Sequence, residues 1–300
     1  MTLKSINDWK ILFGERGPSG AAETFLLKLG QVDADTQRAA LTALPSVTTL
    51  QRRFSDAWER RDSLLGGVPF LAKDLYATAG DATGAGSIFL AEQLGTSEFD
   101  SSLVSRIRET GGVLCGKTQL NEFALGMSGE NPHFGDCPHP AHPQLLSGGS
   151  SSGSAWAVGA GLVPFALGTD TSGSIRVPAS FCGIYGLRLE PGLLSEEELF
   201  PLSPSFDTPG WLTGTAHDML TVTEALLGDW INFAAPPTRG LWIPCGNVVS
   251  PEVFAATSRL ASRLGFISDD SASRSLLESI NGVEKSYPVL GASEAALIHK

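Results

Sequence analysis

The sequence predicts an α/β layered fold. Segments whose apolar residues recur every three or four positions alternate with short, uncharged apolar runs, the pattern of helices alternating with buried strands. The 300 residues, 42% hydrophobic and 18% charged, suffice for a large core. Glycine pairs and Gly/Ser turns fall at the joints between segments.

Taken in order, residues 1–65 read as helices and loops. Within them, 47–62 is a charged helix with Leu50, Phe54 and Trp58 spaced by four, one face toward a core. Gly66-Gly67 breaks the chain, and 68–72 is a short buried strand that runs into Lys73. Asp100 caps a helix over 101–109, with Leu103, Val104 and Ile107 on one face. Gly111-Gly112 ends that helix, and 113–116 is the next strand. Residues 128–146 form a long loop rich in Pro, His and Gly, and loops of that length are often functional. A helix over 151–161 turns Ala155, Val158, Gly159 and Leu162 inward. Strands are expected at 164–167, 184–187 and 240–243. Pro251 starts a helix after Ser250, with Val253, Ala256, Leu260 and Leu264 on one face.

Charge and cysteine usage narrow the function classes. A net charge of −11 argues against non-specific nucleic-acid binding and against docking on anionic lipid. Cys115, Cys137, Cys182 and Cys245 form no CxxC pair, and Cys115 and Cys182 read as buried thiols. The N-terminus lacks an apolar stretch followed by a small-residue cleavage site. The longest nearly apolar run, 155–168, falls short of the roughly 20 residues a membrane span needs. A reduced, cytoplasmic setting is the expectation.

The chemistry concentrates in two turns. Gly148-Gly149-Ser150-Ser151-Ser152-Gly153-Ser154 and Gly168-Thr169-Asp170-Thr171-Ser172-Gly173-Ser174-Ile175-Arg176 flank one apolar segment, and the 68–72 strand ends on Lys73. A serine nucleophile, a second serine to pass a proton, a lysine base and a row of backbone N–H donors are the parts of an acyl-transfer site. Ser174 needs a base to become nucleophilic, and consecutive N–H groups over 171–174 could form an oxyanion nest. Lys73 follows apolar residues, so burial could lower its pKa into the range of a general base. The alternatives are a helix-capping Ser174 and a Lys73–Asp74 surface pair. Ser150, Ser151 and Ser152 all compete for the bridging position. In the 128–146 loop, Cys137, His139 and His142 could be metal ligands, but their spacing matches no zinc pattern. Gly80, Gly84 and Gly86 do not form a dinucleotide-binding motif.

The run GGSSSGSAWAVGAGLVPFALGTDTSGSIRVPASFCGIYGLRLEPG resembles the defining segment of the amidase signature family of serine amidases. GVPFLAKD resembles that family's lysine strand, Asn131-Pro132-His133-Phe134-Gly135 its loop before the Gly/Ser run, and Ser205-Phe206-Asp207-Thr208-Pro209-Gly210 a later segment followed by a helix like 217–227. The resemblance implies one large mixed sheet with helices on both faces. It divides the chain into an N-terminal helical region (1–65), a signature core (66–230) and a C-terminal part of the same domain (231–300). It implies Ser174 as nucleophile, Ser150 as the proton bridge at a cis peptide, and Lys73 as base. Thr171, Ser172 and Gly173 would serve the oxyanion or substrate, with Asp170 and Arg176 supporting the loop. Ser152 and Ser172 stand where the family often has glycine. No metal or organic cofactor is expected.

The implied activity is hydrolysis of a small-molecule amide to a carboxylate plus ammonia or an amine. One alternative is a glutamine amidase working with a second subunit, as in amidotransferases; a homodimer is also open. Members of the family are usually longer, and 287–296 resembles a mid-chain helix. The chain therefore reads as truncated or naturally short, and a further alternative is a non-catalytic remnant or interaction protein.

Overall fold

The structure, a computed structural model, describes residues 3–194, 199–228, 240–243 and 249–299. Its contacts group Met1–Asp229 and Glu294–Lys300 into one compact unit and Trp230–Ser293 into a second.

The first unit is built on a six-stranded mixed sheet. Its strands are β1 (Leu41–Thr42), β2 (Pro69–Lys73), β3 (Val113–Thr118), β4 (Phe165–Thr169), β5 (Tyr185–Arg188) and β6 (Pro209–Thr213), in the order β1-β3-β2-β4-β6-β5. β2 lies parallel to both β3 and β4, while β1 and the β6–β5 pair run antiparallel at the two sides. This is the mixed sheet with surrounding helices that the family resemblance implies. β2, β4 and β6 are buried at every position, as strands covered on both faces must be. Phe70 and Phe165 stack across β2 and β4 with ring centroids 5.4 Å apart.

Helices pack around this sheet. They are α1 (Ile6–Leu29), α2 (Ala34–Ala40), α3 (Val47–Ala57), α4 (Leu90–Leu94), α5 (Ser102–Glu109), α6 (Ser152–Gly159), α7 (Arg176–Cys182) and α8 (Ala216–Leu227). α3 begins at the Ser46 cap, whose hydroxyl accepts the Thr49 N–H, and buries Leu50 and Phe54 while Trp58 is half-buried just beyond it. α5 buries Leu103, Val104 and Ile107 as its spacing predicts. Its cap is Ser101, however, not Asp100. The Asp100 carboxylate instead accepts the Ala79 N–H at 2.8 Å and pairs with Arg108.

Three further expectations are corrected. The sequence predicts no strand among the first 65 residues, yet β1 lies there: it is two residues long and exists only by pairing with the edge of β3. Gly159 is exposed, although Ala155, Val158 and Leu162 are buried as expected. Cys182 is only half-buried, whereas Cys115 and Cys137 are buried. Cys245 lies outside the described residues.

In the second unit, β7 (Leu241–Trp242) pairs in parallel with β8 (Ile267–Ser268). The helices here are α9 (Pro251–Arg263) and α10 (Asp270–Ser279), followed by α11 (Val283–Ile298), whose last residues belong to the first unit. α9 starts at the Ser250 cap as expected, but none of Val253, Ala256, Leu260 and Leu264 is buried. Periodicity says which residues share a face; it does not supply a partner for that face.

Candidate active site

β2 and β4 are adjacent and parallel, with Ala72 opposite Leu167. Their last residues, Lys73 and Thr169, therefore emerge side by side at the carboxyl end of the sheet, where ligands bind in open α/β sheets. Lys73 is wholly buried, and its Nζ donates to Ser150 Oγ and to Thr169 Oγ1, each at 2.8 Å. Burial pushes its pKa from the ordinary 10.5 down to about 7, and the charges of Asp207 and Asp170 oppose that fall.

The segment carrying Ser150 is held by close backbone approaches. The Gly149–Ser150 peptide is cis. Gly149 N–H donates to the Met127 carbonyl at 2.8 Å, and a Cβ at Gly149 would lie 2.1 Å from Asn121 Oδ1. Only glycine fits there. Ser151 and Ser152, the rival bridging positions, point elsewhere. Ser151 Oγ donates to the Thr169 carbonyl at 3.2 Å, and Ser152 Oγ to the Gln119 carbonyl at 3.4 Å.

Ser174 is 3% exposed and sits beside this segment, with the Ser151 N–H donating to its carbonyl at 3.2 Å. Asp170 fixes the backbone on its far side. Its Oδ2 accepts the N–H of Ile175 at 3.1 Å and of Arg176 at 3.3 Å, and the Arg176 guanidinium binds both carboxylate oxygens. Arg188 adds a second cation 3.4 Å from Asp170 Oδ1. Burial works against the Asp170 charge, but the hydrogen bonds from Arg176 and Ile175 prevail and hold its pKa below the ordinary value. In the intervening turn Thr171 and Gly173 are buried and Ser172 is exposed. Gly173 does not take up a positive φ; its role is spatial, since a Cβ there would press on Val177 at 3.0 Å.

Three participants are not singled out by the sequence. Thr169 is the second partner of Lys73. Asp207 accepts the Thr171 hydroxyl at 2.5 Å on one oxygen and the N–H groups of Leu202 and Ser203 on the other. Lys117 forms a buried ion pair with Asp74 at 2.6 Å, next to Lys73 in the chain, so Asp74 pairs with Lys117 and not with Lys73. The sequence holds one signal for Asp207, its place in the 205–210 motif.

The 128–146 loop leaves little for a metal. His139 Nδ1 accepts the N–H groups of Ala141 and His142, so its Nε2 carries the proton and donates to the Phe181 carbonyl at 3.0 Å. Among the described residues, no group of three His, Cys, Asp or Glu could hold a metal ion. Nor is any helix among them long and apolar enough to cross a membrane.

Comparison with known proteins identifies the family. The model of a protein family described as Amidase matches residues 21–264. Amidase 1 of Oryza sativa is 43% identical over 163 residues, which are 54% of this chain and 38% of the rice protein. A glutamyl-tRNA(Gln) amidotransferase subunit of Chromohalobacter salexigens is 44% identical over 164 residues, 55% of this chain and 33% of that protein. The matched part thus spans well under half the length of these relatives. Among solved structures, a crystal structure of an amidase superposes with a TM-score of 0.79 at 31% identity, covering 98% of this chain and 68% of the other. The peptide amidase of Stenotrophomonas maltophilia superposes at 0.72 and 27% identity, covering 88% and 61%.

Proposed function

Given that the chain belongs to the amidase family, we propose that it hydrolyses a small-molecule carboxamide through a serine acyl-enzyme, with Ser174 as nucleophile, Ser150 as proton bridge and Lys73 as base. One observation carries the reading. A fully buried lysine with a pKa of about 7 stands 2.8 Å from a serine hydroxyl. At neutral pH a large fraction of such an amine is unprotonated and can accept a proton at that distance.

In the proposed reaction Ser174 Oγ attacks the amide carbonyl carbon and passes its proton to Ser150, whose own proton goes to Lys73 Nζ. The carbonyl oxygen becomes an oxyanion among the N–H groups of the turn through Thr171, Ser172 and Gly173. The proton returns by the same route to the leaving nitrogen as the C–N bond breaks. Water then attacks the acyl carbon as its proton passes to Lys73, and the bond to Ser174 Oγ breaks as that proton returns to Ser174 through Ser150. Asp170 and Arg176 keep the turn in shape and touch no reacting atom.

Intact-mass measurement after treatment with a fluorophosphonate tests this. A single adduct on the wild type, absent from Ser174→Ala, supports an activated Ser174. A folded wild-type protein that takes no adduct would remove the acyl-enzyme reading and favour a non-catalytic role.

A second reading rests on the relatives that are named as amidotransferase components. In it the same chemistry releases ammonia from glutamine for a partner protein. Glutamine hydrolysis and co-purification with that partner would favour this reading over a free-standing amidase.

A further inference from the structure

We propose that Glu294 is a positioning residue for the oxyanion turn, acting on Thr171 through the loop of residues 199–207. The inference rests on the reading of Thr171, Ser172 and Gly173 as oxyanion donors. Glu294 lies on the last turns of α11, more than eighty residues beyond that loop, in the same compact unit as the site.

The loop is anchored at three places. At its start, Leu199 bridges Tyr76, and the Phe200 N–H donates to the Leu75 carbonyl at 2.8 Å, two residues past the base. At its end, Asp207 takes the N–H groups of Leu202 at 2.8 Å and Ser203 at 2.9 Å on Oδ2, and the Thr171 hydroxyl on Oδ1. In the middle, Glu294 Oε2 accepts the Ser203 hydroxyl at 2.6 Å and the Ser205 N–H at 3.0 Å. One continuous path of hydrogen bonds therefore runs from Glu294 through Ser203 and Asp207 to Thr171.

The far end of this path is also fixed. His299 lies against Phe123 and Phe200, with ring centroids 5.0 Å and 5.7 Å apart, so the end of α11 touches the loop at a second point. Hydrogen bonds from Ser203 and Ser205 hold the Glu294 carboxyl below its ordinary pKa, so the charge is present at neutral pH. Bonds to a charged acceptor are shorter and roughly twice as strong as neutral ones. Oxyanion donors help only when they sit where the charge develops, so a small displacement of Thr171 costs rate without touching the nucleophile or base.

The test compares the wild type with Glu294→Ala, Glu294→Gln, Ser203→Ala, the Glu294→Ala/Ser203→Ala double variant and Leu297→Ala. Leu297 lies on the same helix, is 66% exposed and serves as the control. The first readout is the second-order rate of fluorophosphonate adduct formation. The second is amide hydrogen exchange in peptides covering residues 170–174 and 199–207. Glu294→Ala should label about tenfold more slowly, as expected for displaced oxyanion donors. Glu294→Gln, whose amide oxygen still accepts both bonds but carries no charge, should recover part of that rate. The double variant should be little slower than either single one, as partners on one path require. Exchange should quicken in both segments in Glu294→Ala and in neither in Leu297→Ala. Wild-type exchange over 170–174 in Glu294→Ala would overturn the proposal, as would a glutamine variant as slow as the alanine one. If the wild type takes no adduct, the acyl-enzyme reading fails by itself, and the exchange data still decide whether Glu294 positions the turn.

Discussion

Replacing the buried Lys73, the proposed base, with an isosteric apolar side chain should abolish turnover and yet stabilise the fold. In Lys73→Met the wholly buried ammonium is gone, and the wild-type amine gives the magnitude. Its pKa falls from 10.5 unfolded to about 7 folded. The folded state therefore disfavours the charged form, and between these two values the unfolded chain binds more protons than the folded one. Wild-type stability must rise with pH across that window, and the full penalty is present below it. At about 1.36 kcal/mol for each tenfold, the penalty near pH 7 is roughly 4–5 kcal/mol. Methionine also forfeits the bonds to Ser150 and Thr169, each worth about 1 kcal/mol net. The balance leaves Lys73→Met about 2–3 kcal/mol more stable than the wild type near pH 7. That advantage should shrink and then reverse as pH approaches 10. Urea denaturation of both proteins across pH 6–10 measures it. The thiols of Cys137 and Cys182 are pushed up to about 12, so they lower stability at high pH, but equally in both proteins, and cancel in the difference. Parallel stability curves for the two proteins would refute a base that titrates near neutrality.

Three other perturbations have definite expected outcomes. Gly149→Ala places a methyl 2.1 Å from Asn121 Oδ1, and should lose about 1–3 kcal/mol of stability by urea denaturation together with fluorophosphonate labelling. Asp207→Asn removes the charge that most opposes the fall of the Lys73 pKa, so the acidic limb of the pH–rate profile should move to lower pH; a limb that moves upward would contradict the assignment. Lys117→Met strands the Asp74 carboxylate, whose pKa burial already raises, and should cost about 3–5 kcal/mol, most of it recovered in Lys117→Met/Asp74→Leu.

How much of this is legible in the sequence depends on how local each feature is. β2, β3 and β4 can be read because each is a short apolar run that follows glycines, and their ends differ from the expected ones by only a few residues. Lys73 as a strand-terminal lysine and the two Gly/Ser turns are visible for the same reason. Thr169 is not, because a threonine at the end of a strand looks like any other β-branched residue until a neighbouring strand brings an amine to it. Asp207 meets Thr171 only because β6 pairs antiparallel with β4 and returns the chain to the turn. Asp100 reads as a helix cap from its position alone, but Ala79 and Arg108 claim its carboxylate. The unburied stripe of α9 shows the same limit on a larger scale.

The charges around Lys73 explain why a buried lysine here settles near neutrality and not far below it. Desolvation alone would drive the amine toward a permanently neutral form, a weak base with little tendency to hold the proton it receives from a serine. Two carboxylates pull the other way, but they are not equivalent. Asp170 is engaged by Arg176 and Arg188, so much of its field is spent on those guanidinium groups. Asp207 instead takes its hydrogen bonds from a hydroxyl and two backbone N–H groups, all neutral donors. Its negative charge is therefore the freer of the two to act on the amine, and it opposes the fall of the Lys73 pKa more strongly than Asp170 does. The same carboxylate holds Thr171. A single residue thus couples the basicity of Lys73 to the placement of the turn, and a change that displaces the 199–207 loop must disturb both at once.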